Sequence, residues 1–131
     1  MIKGNIDVFV LTETKLDDTF NNRQFRMEGF SAPFRLDRNR NGGGIMVYIR
    51  DDIPSRILNK HNFPSDIEGI FIELNLRSQK WLLCGLYHPP SQDDEYFFHQ
   101  LGKAIDSYGS FYNKHLLIGD FNAEDTEPCL S

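Results

Sequence analysis

Cysteine is scarce in this 131-residue chain: there are two, Cys84 and Cys129. The first lies inside an apolar run and the second near the last residue, so they form no disulfide framework, and a reducing, intracellular compartment is expected. No apolar stretch approaches the length that crosses a bilayer, and no signal-type hydrophobic block follows Met1, so no membrane partner is expected. Repeats, low-complexity tracts and linkers are missing. The four histidines, His61, His88, His99 and His115, show no ligand spacing with one another or with cysteine, which argues against zinc. There is no nucleophile-elbow serine, no phosphate-binding loop motif and no run of five or more basic residues. The formal net charge of −5 is not that of a protein that simply coats a polyanion.

What is present suits a single domain spanning residues 1–131, with 40% hydrophobic residues and eleven phenylalanines. That content supports a real core and argues against disorder. Arg35, Arg38 and Arg40 cluster, flanked by Arg23 and Arg26, and from charge alone the cluster reads as a solvated loop.

Hydrophobic patterning orders the chain. Strands are expected at 7–11, 29–35, 45–50, 67–76, 81–87 and 115–118. Asn39 to Gly44 reads as a tight reversal, because three glycines permit positive φ and the β-rich run Ile45–Ile49 follows where a phosphate-cradling loop would need a helix. Asp51 to Pro54 is a turn, and 61–65 a loop. In 67–76, Ile70, Ile72, Leu74 and Leu76 alternate with Phe71, Glu73 and Asn75, the pattern of one buried face. Ser91 to Glu95 offers caps for a helix whose apolar face is Phe97, Leu101, Ala104, Ile105 and Tyr108. The order is α/β (α+β), rich in strands with one clear helix, and a layered sandwich fits it.

Three of these runs end on polar residues that phosphoester chemistry uses. Asp7–Leu11 leads to Glu13, Trp81–Leu86 to Tyr87, and Leu116–Gly119 to Asp120-Phe121-Asn122. Runs this apolar read as strands buried on both faces. Side by side in one sheet, they would bring all four groups to one rim, where sheet proteins place ligands. Glu13 suits a hard cation but also a surface pair with Lys15. Asp120 could orient water and Asn122 bind phosphate, both projecting to one side if the strand stays extended, yet Gly-Asp followed by Asn is also an ordinary turn. Gly119 would let another backbone approach closely. Tyr87 could donate to a phosphate oxygen or simply be an amphipathic strand end. His88 could be an acid–base group, but as a lone histidine in a loop it is expected to face solvent.

Together these segments resemble the endonuclease/exonuclease/phosphatase superfamily, and more narrowly the apurinic-type endonuclease domain of non-LTR (LINE-type) retrotransposons. The resemblance rests on Asp7–Leu16, Asn41–Ile45, Gly85–Pro90 and Leu117–Ala123, in that order. It implies a four-layer α/β sandwich of the DNase I-like type and Mg²⁺-dependent phosphodiester hydrolysis of DNA, with Mn²⁺ as the alternative ion. It assigns Glu13 to the metal, Asp120 to the attacking water, Asn122 to phosphate binding and Tyr87 to support of the phosphoryl oxygens. A nuclear site of action follows from the resemblance alone.

The match departs from the pattern at both ends. A first strand carrying a metal-side asparagine would precede Met1, and a C-terminal part with Asp-His motifs would follow Ser131. His88 stands where these retrotransposon sequences often carry Arg. The expectation is an incomplete domain, a partial sandwich without full activity, with an uncovered sheet face open to self-association. The alternative is a non-catalytic retrotransposon remnant with residual nucleic-acid or metal binding.

Overall fold

The run Ile45-Met46-Val47-Tyr48-Ile49 is apolar and largely β-branched, which favours a strand surrounded on every side. In the computed structural model, which describes residues 7–58, 67–109 and 111–122, all five of these residues are buried. They form the middle strand of a three-stranded sheet. Its outer members are β1 (Val8–Thr12) and β2 (Phe34–Leu36), both antiparallel to β3 (Ile45–Ile49). The second sheet runs β4 (Ser55–Ile57), β5 (Glu68–Leu76), β6 (Gln79–Tyr87) and β7 (Lys114–Asp120). Arg77 and Ser78, at φ 51° and 63°, turn β5 tightly into β6, as the hairpin twist demands. Helix α1 (Asp94–Gly109) carries the chain from β6 to β7, which pair in parallel.

The two sheets stack face to face. Ile45, Val47 and Ile49 of β3 meet Ile70, Ile72 and Leu74 of β5 and Leu83 and Tyr87 of β6. On the far side of the second sheet, Phe97, Leu101 and Ala104 of α1 cover Phe71, Leu82, Cys84 and Leu86. Burial among them pushes the Cys84 thiol up to about 12, so it stays a neutral core group. The helix starts as its sequence suggests: the Asp93 carboxylate accepts the Tyr96 amide at 2.9 Å, and the Asp93 carbonyl accepts the Phe97 amide. This is the expected α/β sandwich, with sheet, sheet and helix as the layers formed by the described residues. Aromatic rings cover the outer side of the first sheet: Phe9 stacks on Tyr48 at 4.7 Å and meets Phe30 edge-on at 5.3 Å.

Several expectations need correction. The three site-bearing strands do not lie side by side. β1 belongs to the other sheet, because β3 is its hydrogen-bonding partner and the α1 crossover makes β7 the neighbour of β6. Burial on both faces holds for β3 and most of β6, but not for β1 and β7. These are edge strands, and Leu11 and Leu117 stay 45% and 40% exposed. β5 is buried on both faces at Phe71, since α1 covers the side that alternation assigned to solvent. The 29–35 strand shrinks to Phe34–Leu36 plus a bridge from Phe30 to Arg50: Pro33 supplies no amide and Gly29 sits at φ 87°. The arginine cluster is solvated at Arg23, Arg26, Arg38 and Arg40 but not at Arg35. The Arg35 side chain is 9% exposed and holds Asp37, Asn22 and the carbonyls of Asp17 and Phe20, while Arg40 pairs with Asp17. The loop expected at 61–65, Cys129 and the rest of the tail lie outside the described residues.

Leu101 is 4% exposed at the α1 contact, whereas Phe111 is 75% exposed. Leu101→Ala is expected to lower the urea-unfolding free energy by about 2–5 kcal/mol, and Phe111→Ala to change it by less than about 0.5 kcal/mol. A second prediction concerns acid. Arg56, and after it the Tyr112 hydroxyl, hydrogen-bonds Glu73 and holds its carboxyl below the usual value of 4.5. A depressed carboxylate contributes stability that is full above pH 4.5 and fades as the pH falls through the folded-state value. Glu73→Gln is expected to be less stable at neutral pH and to show a shallower loss on acidification, measured by thermal unfolding across that range.

Candidate active site

Where β1 ends, the chain enters a left-handed turn. Glu13 and Lys15 both sit at φ 54°, a conformation that non-glycine residues keep only when neighbours hold them there. The glycine reversal does the holding. The Lys15 amide donates to the Gly43 carbonyl at 2.9 Å and the Thr14 amide to the Gly44 carbonyl at 3.5 Å. Gly43 and Gly44 are at φ 72° and 98°, and a Cβ on Gly44 would fall 2.3 Å from Thr14 Oγ1, so this approach requires glycine. The reversal is itself pinned to the second sheet. Glu68 Oε2 accepts the Gly44 amide at 2.9 Å, and Glu68 Oε1 pairs with Arg38 at 3.1 Å.

From the second sheet, Tyr87 projects into the same region with 3% exposure, and its hydroxyl donates to Glu13 Oε1 at 2.8 Å. Burial pushes the Tyr87 phenol up to about 12, and the hydrogen bond to Glu13 and the charges of Glu13, Glu68 and Asp120 act in the same direction. Tyr87 is therefore a neutral donor near pH 7. In the paired strands it lies between Glu68 on β5 and Asp120 on β7. The close approach expected at Gly119 is made by Leu86, whose carbonyl oxygen would lie 1.9 Å from an added Cβ.

Beyond β7 the extended geometry stops. Asn122 is at φ 42°, its amide N–H donates to Asp120 Oδ1 at 3.1 Å, and its side-chain Nδ2 donates to the His88 carbonyl at 2.8 Å. The expectation that Asp120 and Asn122 project together from a continued strand is thus corrected: the turn after Asp120 redirects Asn122 toward the loop that follows β6. The same loop overturns the solvent-facing reading of His88. Its ring is fully buried, stacked on Phe97 at 4.4 Å, with Nδ1 at 2.5 Å from the Phe121 carbonyl and Nε2 at 2.8 Å from the Gln92 carbonyl.

Glu13, Tyr87 and Asp120 therefore meet at one rim, but from two stacked sheets, with Asn122 beside them and turned onto the His88 backbone. Sequence reasoning missed Glu68 and the burial of His88. Glu68 was within reach, since a two-residue turn at Arg77-Ser78 places it opposite Tyr87. Burial of His88 had no local signal, because Phe97 and Phe121 come to it from other segments. The side chains at the rim are all oxygen donors, which suits a hard divalent cation and not zinc. Among the described residues no group of three or more His, Cys, Asp or Glu could hold a metal. A cation here would rest on Glu13 and keep most of its waters, as Mg²⁺ does when one or two carboxylates bind it.

No curated protein sequence matches this chain. The profile of the endonuclease/exonuclease/phosphatase family matches residues 1–128. A match of that extent, over two stacked sheets whose ends gather these side chains, means that the chain belongs to the endonuclease/exonuclease/phosphatase family.

Proposed function

We propose that this chain is a Mg²⁺-dependent phosphodiesterase of the DNA endonuclease type, similar to the nuclease domain of LINE-type retrotransposons. Family membership brings phosphate-ester hydrolysis, and the enzymes of the family generally use divalent metals. The observation that carries the reading further is the hydrogen bond from Tyr87 to Glu13, which joins the two sheets beside Asp120. DNA as substrate and a nuclear site of action rest on the Asn41–Ile45 and Gly85–Pro90 resemblance to retrotransposon nucleases. Residues 1–131 are read as one domain of that kind.

In this reading Glu13 holds the ion, with Tyr87 fixing the carboxylate's direction. When bound, Mg²⁺ would neutralise charge building on the phosphate and leaving oxygen. Asp120 orients the attacking water and accepts its proton. Asn122 donates to a phosphate oxygen. An amide NH₂ carries two hydrogens, so one can stay on the His88 carbonyl while the other engages the substrate. His88, the histidine nearest the rim among the described residues, has both ring nitrogens on backbone carbonyls and does not serve as general acid. For that reason the chain by itself is expected to turn over slowly, and a binding remnant is the second reading.

Nicking of supercoiled plasmid that requires Mg²⁺ is the expected result, with Mn²⁺ as the substitute ion. Asp120→Ala is expected to reduce the rate about 10²–10⁴-fold, and Glu13→Ala to raise the Mg²⁺ concentration needed. Nicking that survives Asp120→Ala would sink the assignment, and a folded chain that binds DNA without cutting it would select the remnant reading. Self-association through an uncovered sheet face is also proposed, and Leu117 on the edge strand β7 is exposed. Sedimentation is expected to show dimers growing with concentration, and a monomer at every concentration would remove that proposal.

A further inference from the structure

His88 is the most tightly engaged residue near the rim, and the proposed chemistry gives it no step. Three of its atoms reach the three consecutive residues that end the described chain. Its backbone N–H donates to the Asp120 carbonyl at 2.8 Å, extending the β6–β7 pairing one residue beyond Tyr87 and Asp120. Its ring Nδ1 meets the Phe121 carbonyl, and its own carbonyl accepts the Asn122 side-chain amide at 2.8 Å. On the other side Nε2 meets the Gln92 carbonyl at 2.8 Å, and an Asp94 carboxylate oxygen lies 3.4 Å from it.

We infer that His88 is a positioning residue, a clamp that fixes Asp120-Phe121-Asn122 against the start of α1. Backbone carbonyls only accept, so each ring contact requires an N–H on the histidine. Either neutral tautomer supplies one of them, and the ring protonated on both nitrogens supplies both. Phe97 stacks on the ring and Phe98 meets it edge-on at 6.0 Å, excluding the water that would otherwise serve those carbonyls. Asn122 needs this restraint. It sits at positive φ, outside the strand ladder, and its local support is its own bond to Asp120. The ring sets where the His88 backbone lies and so where the Asn122 amide can point. The proposal rests on the phosphodiesterase reading for why that position matters, but its geometry stands apart from activity.

The experiment is NMR of the ¹⁵N-labelled chain, comparing wild type with His88→Phe and His88→Gln. Phenylalanine keeps the stack on Phe97 and removes the donors, whereas glutamine restores one donor. In His88→Phe the Asn122 side-chain amide is expected to exchange with water about tenfold faster or more, the loss of one hydrogen bond, while the amides of Ile72 and Leu83 stay protected. His88→Gln is expected to recover much of that protection. An unchanged Asn122 amide in a folded His88→Phe, or equal loss in both variants, would overturn the clamp. Should His88→Phe fail to fold, the wild type still decides. A slowly exchanging His88 ring N–H close to Phe121 or Gln92 supports the clamp, and its absence refutes it. In the nicking assay, His88→Phe is expected to lower kcat more than it raises KM. A chain that never nicks DNA yet shows this exchange pattern would fail the phosphodiesterase reading while leaving the clamp in place.

Discussion

The packing of β3 onto β5 and β6 is the contact on which the remaining structure depends. Ile45, Val47 and Ile49 on one side and Ile70, Ile72 and Leu83 on the other are all essentially removed from water. Each such side chain contributes about 1.5–3 kcal/mol by burial, before the entropy of ordering the chain is set against it. The spacing between the sheets is tight enough that a Cβ at Gly85 would come within 3.1 Å of Val47 Cγ2. A larger residue there would push the sheets apart, and the bond from Tyr87 to Glu13 spans that same interface. The geometry of the rim therefore follows from the packing beneath it.

Charge at the rim is arranged by backbone as much as by side chains. Glu68, Glu13 and Asp120 all raise the tendency of Tyr87 to keep its proton, so the phenol is a fixed donor among acids. Glu68 is answered by Arg38 and by the Gly44 amide, which leaves it a structural acid tying the glycine reversal to the second sheet. Glu13 is answered by the Tyr87 hydroxyl, and its backbone is held in a left-handed turn between Thr12 and Thr14. A cation bound there would meet a carboxylate already aimed, with little reordering needed.

Much of the fold was legible because local physics dominates it. The apolar runs became strands, and Phe97, Leu101 and Ala104 formed the buried face of a capped helix. Several of the errors share one cause. Alternation in β5 reports side-chain direction faithfully, but whether the second direction meets water depends on α1, which arrives from residues 94–109. The arginine cluster looked solvated because nothing nearby in sequence reveals that Arg35 would be covered by Asp17 to Phe25.

By itself the sequence determined which residues could do chemistry, where the helix and most of the strands lie, though not β4 or the start of β2, and, through four ordered motifs, the family. Those properties depend on short spacings, on the period of two or 3.6 and on the φ that glycine permits. Only the tertiary structure decided that β1 sits in the sheet opposite β6, that Tyr87 donates to Glu13, that Asn122 turns back onto His88 and that the His88 ring is sealed. The first three of those outcomes join segments more than 30 residues apart, the last also draws on the start of α1, and which segments meet is set by how the apolar faces of two sheets and a helix can be buried together.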